Sequence, residues 1–97
     1  MTGSELQKAM ITLGRMWGWD RAPCATELGR ALNNPAKDPG EIIRNALHRR
    51  NEPVHWMLAG QIEMCLRGAL PPGGIPERLY DKTAKRDRKS KRQRVSA

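Results

Sequence analysis

Apolar positions along this chain recur at helical steps and almost never alternate. Leu6, Met10, Leu13 and Trp17 are spaced by three and four residues, which stacks them on one face of a helix of roughly four turns. Thr2, Gly3, Ser4 and Glu5 open it as a capping box, in which the threonine oxygen accepts an amide three residues on and Glu5 reaches back. Gly18 is a stop, and residues 19–23 make the connection. A second helix is expected from Cys24 to about Leu32, with Glu27 in the capping position, and Leu28 and either Ala31 or Leu32 turned inward. Gly29 marks a place where another element can approach closely. Asn33, Asn34 and Pro35 end this helix, because asparagine tolerates turn conformations and proline cannot continue the hydrogen-bond ladder.

The pattern restarts at Asp38, Pro39, Gly40 and Glu41, read as an N-cap, a proline in the first helical position and a capping glutamate. Ile42, Ile43, Ala46 and Leu47 form the apolar side of this third helix, and Glu41, Arg44, Asn45, His48 and Arg49 the other. Cationic residues at its far end, around Arg49 to Asn51, suit the negative pole of the helix. Pro53 forbids continuation. A fourth helix follows from about His55 to Arg67, with Leu58, Ile62, Cys65 and Leu66 inward and Gly68 as its stop. Leu70 to Gly74 is a proline- and glycine-rich joint, and Ile75 to Tyr80 has the makings of one short helix. From Lys82 onward almost nothing apolar remains, which predicts a disordered basic tail. The expected fold is all-α, with four or five helices in one domain over residues 1–80 and a tail over 81–97.

Composition narrows the picture. Phenylalanine is absent, so the core must come from Leu, Ile, Met, Ala and a few tryptophans, which suits packed helices better than a sheet. The net charge of +8 is unevenly spread: residues 1–80 hold 10 basic and 8 acidic side chains, whereas residues 81–97 hold 8 basic and 2 acidic. A small basic chain favours a polyanionic partner, nucleic acid ahead of a membrane surface. No apolar run approaches the roughly 20 residues that span a bilayer, and no signal-peptide pattern opens the chain, so the expected location is cytoplasmic. Cys24, Cys65, His48 and His55 have no metal-ligand spacing and read as reduced thiols and helix-end histidines. Glu27, Asp38 and Glu41 are accounted for by helix ends, no phosphate-binding loop follows a strand, and no nucleophile stands beside a base. The expectation is a protein with no enzymatic activity, no metal and no cofactor.

Nucleic-acid binding has positive signals. The third helix presents Arg44, Asn45, His48 and Arg49 together, with Lys37 at its entry. Arginine pairs with guanine and asparagine with adenine through two hydrogen bonds each in the major groove. A preceding helix and a short turn complete what a helix-turn-helix needs. In the tail, Lys85, Arg86, Arg88, Lys89, Lys91, Arg92 and Arg94 favour phosphate contact without much choice of sequence.

Several phrases then form a familiar order. Thr2-Gly3-Ser4-Glu5-Leu6, Leu13-Gly14 and Thr26-Glu27-Leu28-Gly29-Arg30-Ala31-Leu32 resemble the opening of Cro/CI-type helix-turn-helix regulators of phages and integrative elements. Asp38-Pro39-Gly40, Glu52-Pro53-Val54 and Gly68-Ala69-Leu70-Pro71-Pro72 continue the resemblance, which covers about residues 2–72. The chain departs from that pattern with Ala46 where the family usually has tryptophan, Cys24 where it often has Ser or Thr, and a longer aromatic stretch over residues 15–20. The register of the third helix is thereby fixed only to within one residue.

The resemblance implies a lambda-repressor-like domain that pairs as a homodimer on a palindromic operator and regulates transcription, often of its own operon. The helix near residues 39–50 would then read bases through Arg44, Asn45, His48 and Glu41. Lys37, Arg49, Arg50, Thr26, Asn34 and the tail residues Lys85, Arg86, Arg88 and Lys89 would hold phosphates. The fourth helix with the 75–80 segment is the expected dimer surface. Two other functions remain open on the residues: a protein-interaction module such as an antiactivator or excision cofactor, and a coating protein driven by the tail.

Overall fold

The computed structural model describes residues 1–77, and these form four helices: α1 (Gly3–Met16), α2 (Ala25–Ala31), α3 (Glu41–His48) and α4 (Trp56–Leu66). Among the described residues there is no strand, only an isolated bridge between Thr2 and Pro53. The all-helical architecture expected from the sequence is therefore present. The predicted basic tail with its phosphate candidates Lys85, Arg86, Arg88 and Lys89 lies outside the described residues, as does the end of the predicted 75–80 helix. Residues 75–77 are not helical.

α1 is the element on which the others assemble. Its capping box forms as expected: the Thr2 amide donates to Glu5 Oε1 at 3.0 Å and the Glu5 amide to Thr2 Oγ1 at 3.4 Å. These bonds hold the Glu5 carboxyl below the usual carboxylate range, the Thr2 backbone amide contributing most. The next orphan amides of the first turn reach across the molecule, Gly3 N donating to the Glu52 carbonyl at 3.3 Å and Ser4 N to that of Arg50 at 3.0 Å. Val54 N returns the tie by donating to Met1 O at 2.7 Å. The start of α1 thus clamps the whole α3–α4 connection.

Leu6, Ala9, Met10 and Leu13 of α1 are buried with Leu28 and Leu32, Ile43, and Leu58, Ile62 and Cys65 in one core, with Trp17 packed against it. α1 packs on α3 and on α4, and α2 packs on α3. The backbone of α4 stands off from α2 and α3, although their side chains share the core, and a cleft of about 250 Å³ lies between them. That cleft explains one departure from the apolar pattern. Ile42 borders it and stays 45% exposed, so only Ile43 of α3 is fully inside while Ala46 and Leu47 are partly buried. Gly18 and Gly68 stop α1 and α4 as expected, with φ of +76° and +98°, where side-chain-bearing residues are strained.

The stretch over residues 17–27 folds into a polar and aromatic joint. The Trp17 and Trp19 rings meet edge to face with centroids 5.4 Å apart, and the Arg21 guanidinium lies 5.5 Å from the Trp19 ring centre. Arg21 then grips Glu27 with two hydrogen bonds of 2.8 and 3.1 Å, while the Cys24 amide donates to the same carboxylate at 2.8 Å. Glu27 is completely buried. It is both the capping residue expected for α2 and the anchor of the α1–α2 joint.

The connection from α2 to α3 corrects the expectation of a short hinge. It spans residues 32–40, nine in all, and doubles back along α2. Asn33 takes a left-handed conformation with φ of 60°, and Asn34 N donates to the Gly29 carbonyl at 3.0 Å. Asn34 Nδ2 then donates to the Pro39 carbonyl at 3.2 Å, which lays Pro39 on Gly29. A methyl group at Gly29 would collide with that carbonyl. Gly29→Ala should therefore destabilise the domain by about 1–3 kcal/mol, the usual cost of overpacking, read as a lower urea midpoint with an unchanged slope. An unchanged midpoint would mean that this close approach is absent in solution.

α3 also begins later than the pattern predicts. Asp38 Oδ1 accepts the Gly40 amide at 3.2 Å and the Asp38 carbonyl accepts the Glu41 amide at 3.2 Å, so Asp38-Pro39-Gly40 closes a turn in front of the helix. Gly40, not Asp38, is the N-cap, and Pro39 lies outside the helix. The helix ends at His48, which leaves Arg49 as its C-cap and Arg50 beyond it.

Candidate nucleic-acid interface

The doubled-back connection brings the first turns of α2 and α3 together. Gly40 sits so close to Thr26 N and the Ala25 carbonyl carbon that a Cβ there would lie 2.7 and 2.8 Å from them. Behind this contact the Arg44 side chain turns toward both elements. Its Nη1 stands 3.5 Å from Thr26 Oγ1 and its Nη2 pairs with Asp38 Oδ2. Arg44 is thus a partly buried brace between α2, the turn and α3.

The outer side of α3 carries Glu41, Asn45, His48 and Arg49, all exposed, with Ile42 at its edge. Residues 41, 45 and 49 are successive fours and form one line, and His48 flanks it. Arg49 Nε lies 3.8 Å from Glu52 Oε2, an exposed pair that contributes at most about 1 kcal/mol. Between α1 and α3 runs an open groove of about 510 Å³. Arg44, His48 and Arg50 line it with Gln7, beside Met10, Ile11 and Leu47. Arg50 Nη2 donates to Gln7 Oε1 at 3.5 Å.

The predicted site residues thus fall into three sets. Glu41, Asn45, His48 and Arg49 share the outer face of α3, and Arg44 joins Thr26 at its inner edge, with Arg50 across the groove. Lys37 is exposed on the connection ahead of α3. Asn34 is differently employed: besides its bond to Pro39, its Oδ1 accepts the Ala36 amide at 3.1 Å, so its side chain serves the connection. Gln7 was not anticipated. It comes from α1, forty-three residues from Arg50, and no local pattern marks it.

The remaining candidate chemistry does not converge here. Cys65 is buried in the core, where burial pushes its thiol pKa up and keeps it protonated. His55 caps α4, its Nδ1 accepting the Met57 amide at 3.2 Å. Among the described residues no three His, Cys, Asp or Glu side chains are grouped as a metal site requires, and no helix is long and apolar enough to cross a membrane. Comparison with protein-family models, curated proteins and solved structures finds no match to this chain.

Proposed function

We propose that this chain is a sequence-specific DNA-binding transcriptional regulator of the Cro/CI type, reading a two-fold-symmetric operator as a homodimer through α3. The observation that carries this reading is the exposed line Glu41, Asn45 and Arg49 with His48, set beside Arg44 and the first turn of α2. A helix of two turns with such a face fits the major groove, where arginine recognises guanine, asparagine adenine, and a carboxylate the cytosine amino group. In this reading Asn45, His48, Glu41 and Arg44 contact bases. Thr26, Lys37, Arg49, Arg50 and Gln7 hold the flanking phosphates, and the basic residues 85–94 add attraction that is indifferent to sequence. A helix this short reads only a few base pairs, so a second copy supplies the other half-site.

Selection of bound duplexes from a randomised DNA library tests the proposal. The expected result is a two-fold-symmetric motif with half-sites about one helical turn, roughly 34 Å, apart. Recovery of unenriched sequence would overturn it.

A second reading, a protein-interaction module, draws support from Ile42 exposed on α3 and from the Asp38 partner of Arg44. Under that reading the library yields no motif.

A further inference from the structure

Among the described residues α4 runs closest along α1, and its face turned away from the core is exposed. On that face Trp56 is 74% exposed, Met57 53% and Met64 56%, a group of large apolar side chains on one helix, where single exposed ones are ordinary. Trp56, Gly60 and Met64 are successive fours and stand in one line. Gly60 is exposed at the middle of it, and a Cβ there would meet nothing within 4 Å. Glu63 and Arg67 border the line on one side and Met57 on the other, as the helical step of about 100° per residue dictates.

We propose that this face pairs two copies of the chain, α4 against α4, antiparallel about a two-fold axis at Gly60. The order of the residues is self-complementary under that axis. Positions equidistant from Gly60 meet, so each Trp56 ring lies on the partner's Met64 and each Met64 on the partner's Trp56, a thioether-on-aromatic contact formed twice. The missing side chain at Gly60 lets the two helix backbones approach at the centre. The exposed parts of Trp56, Met57 and Met64 offer on the order of 400 Å² per copy, as large side chains do. Doubled, and with Gly60, Glu63, Arg67 and the His55 ring stacked on Trp56 at the rim, this passes the roughly 1,000 Å² that a stable interface needs. The face shares no residue with the Glu41, Asn45 and His48 side of α3. It names the surface for the homodimer in the DNA-binding reading and rests on that reading for its purpose, not for its geometry.

Sedimentation equilibrium of the full chain without DNA tests it, with Gly60→Gln and Met64→Glu as variants. Both positions are exposed, so the variants should keep the wild-type circular dichroism and melting temperature. The wild type should be a dimer, and each variant should raise its dissociation constant at least about tenfold, or roughly 1.4 kcal/mol. Ile11→Glu, an exposed apolar position on α1, should leave the dimer intact. A wild type that stays monomeric at about 100 μM, or a dimer that both variants leave unchanged, would overturn the proposal. A dimer that depends on α4 but prefers no DNA sequence would sink the DNA-binding reading alone. A monomer that recognises a single half-site would sink this one alone.

Discussion

Glu27→Ala is expected to lower the unfolding free energy by about 3–5 kcal/mol, because it removes one partner of a buried, doubly hydrogen-bonded ion pair. Domains of this kind have only about 5–15 kcal/mol in total, so the variant should lose a large share of its stability. The loss has two local parts. Arg21, itself mostly covered, loses the carboxylate that receives its Nη1 and Nη2, and the Cys24 amide at the start of α2 loses its acceptor. Arg21→Ala should be damaging for the complementary reason, since it leaves a fully buried carboxylate with the Cys24 amide as its remaining partner among these contacts. Arg21→Met combined with Glu27→Leu separates the pair from its mere presence. Apolar replacement of both members is often neutral or stabilising, so the double variant should recover much of the lost stability. Urea unfolding followed by tryptophan fluorescence reads all three, Trp19 being in contact with Arg21. If Glu27→Ala unfolded with the wild-type midpoint, the joint between α1 and α2 would not be held by this carboxylate.

The joint matters for the candidate interface because it fixes where α2 begins. Thir first turn carries Thr26, against which Gly40 and Arg44 are set. A chain that lost the Glu27 anchor would therefore lose the relation between α2 and α3 together with its stability.

The second large effect concerns α3 itself. Arg44→Ala with Asn45→Ala should weaken binding to the selected operator by on the order of 10²–10³-fold, since each two-bond base contact discriminates by about 1–3 kcal/mol. Binding to random DNA should fall much less, because only one cationic side chain is removed. Arg44 also braces the protein through Asp38 and Thr26, so the loss has to be divided between recognition and support. Asp38→Asn makes the division. It weakens the intramolecular ion pair and leaves the guanidinium in place, and it should preserve or tighten specific binding. Fluorescence anisotropy on specific and shuffled duplexes provides both numbers. An equal loss on the two would show that α3 attracts DNA without reading it.

How far these elements were legible in the sequence depended on how local their causes are. The Thr2–Glu5 capping box, the stops at Gly18 and Gly68 and the inward set Leu58, Ile62 and Cys65 of α4 follow from residues within a turn or two, and all are present. Glu27 was legible only in part. Its bond to the Cys24 amide is a local capping feature, whereas its grip on Arg21 depends on the path of the chain around Pro23. The restart of the chain at Asp38 was misplaced because a proline after a good N-cap looks the same whether it opens a helix or closes a turn. What decided it was the Asn34 amide on the Pro39 carbonyl and the absence of a side chain at Gly29.

Within the candidate site, the polar line on α3 was legible from helical spacing alone. Its surroundings were not. Gln7 reaches the groove from α1, and Ile42 stays exposed because α4 does not close on α3, both consequences of packing that no local pattern encodes. The same openness of α4 left Trp56 at the surface, although its sequence context also fits a core position.

The central claim, that α3 reads base sequence, is tested most directly by one ratio. The dissociation constant of the full chain on a shuffled duplex is divided by that on the selected operator, and the measurement is repeated across a range of salt concentrations. Both affinities should fall as salt rises, while the ratio stays at or above about 10³, the lower end for specific DNA-binding proteins. A ratio near one at every salt concentration would contradict the claim.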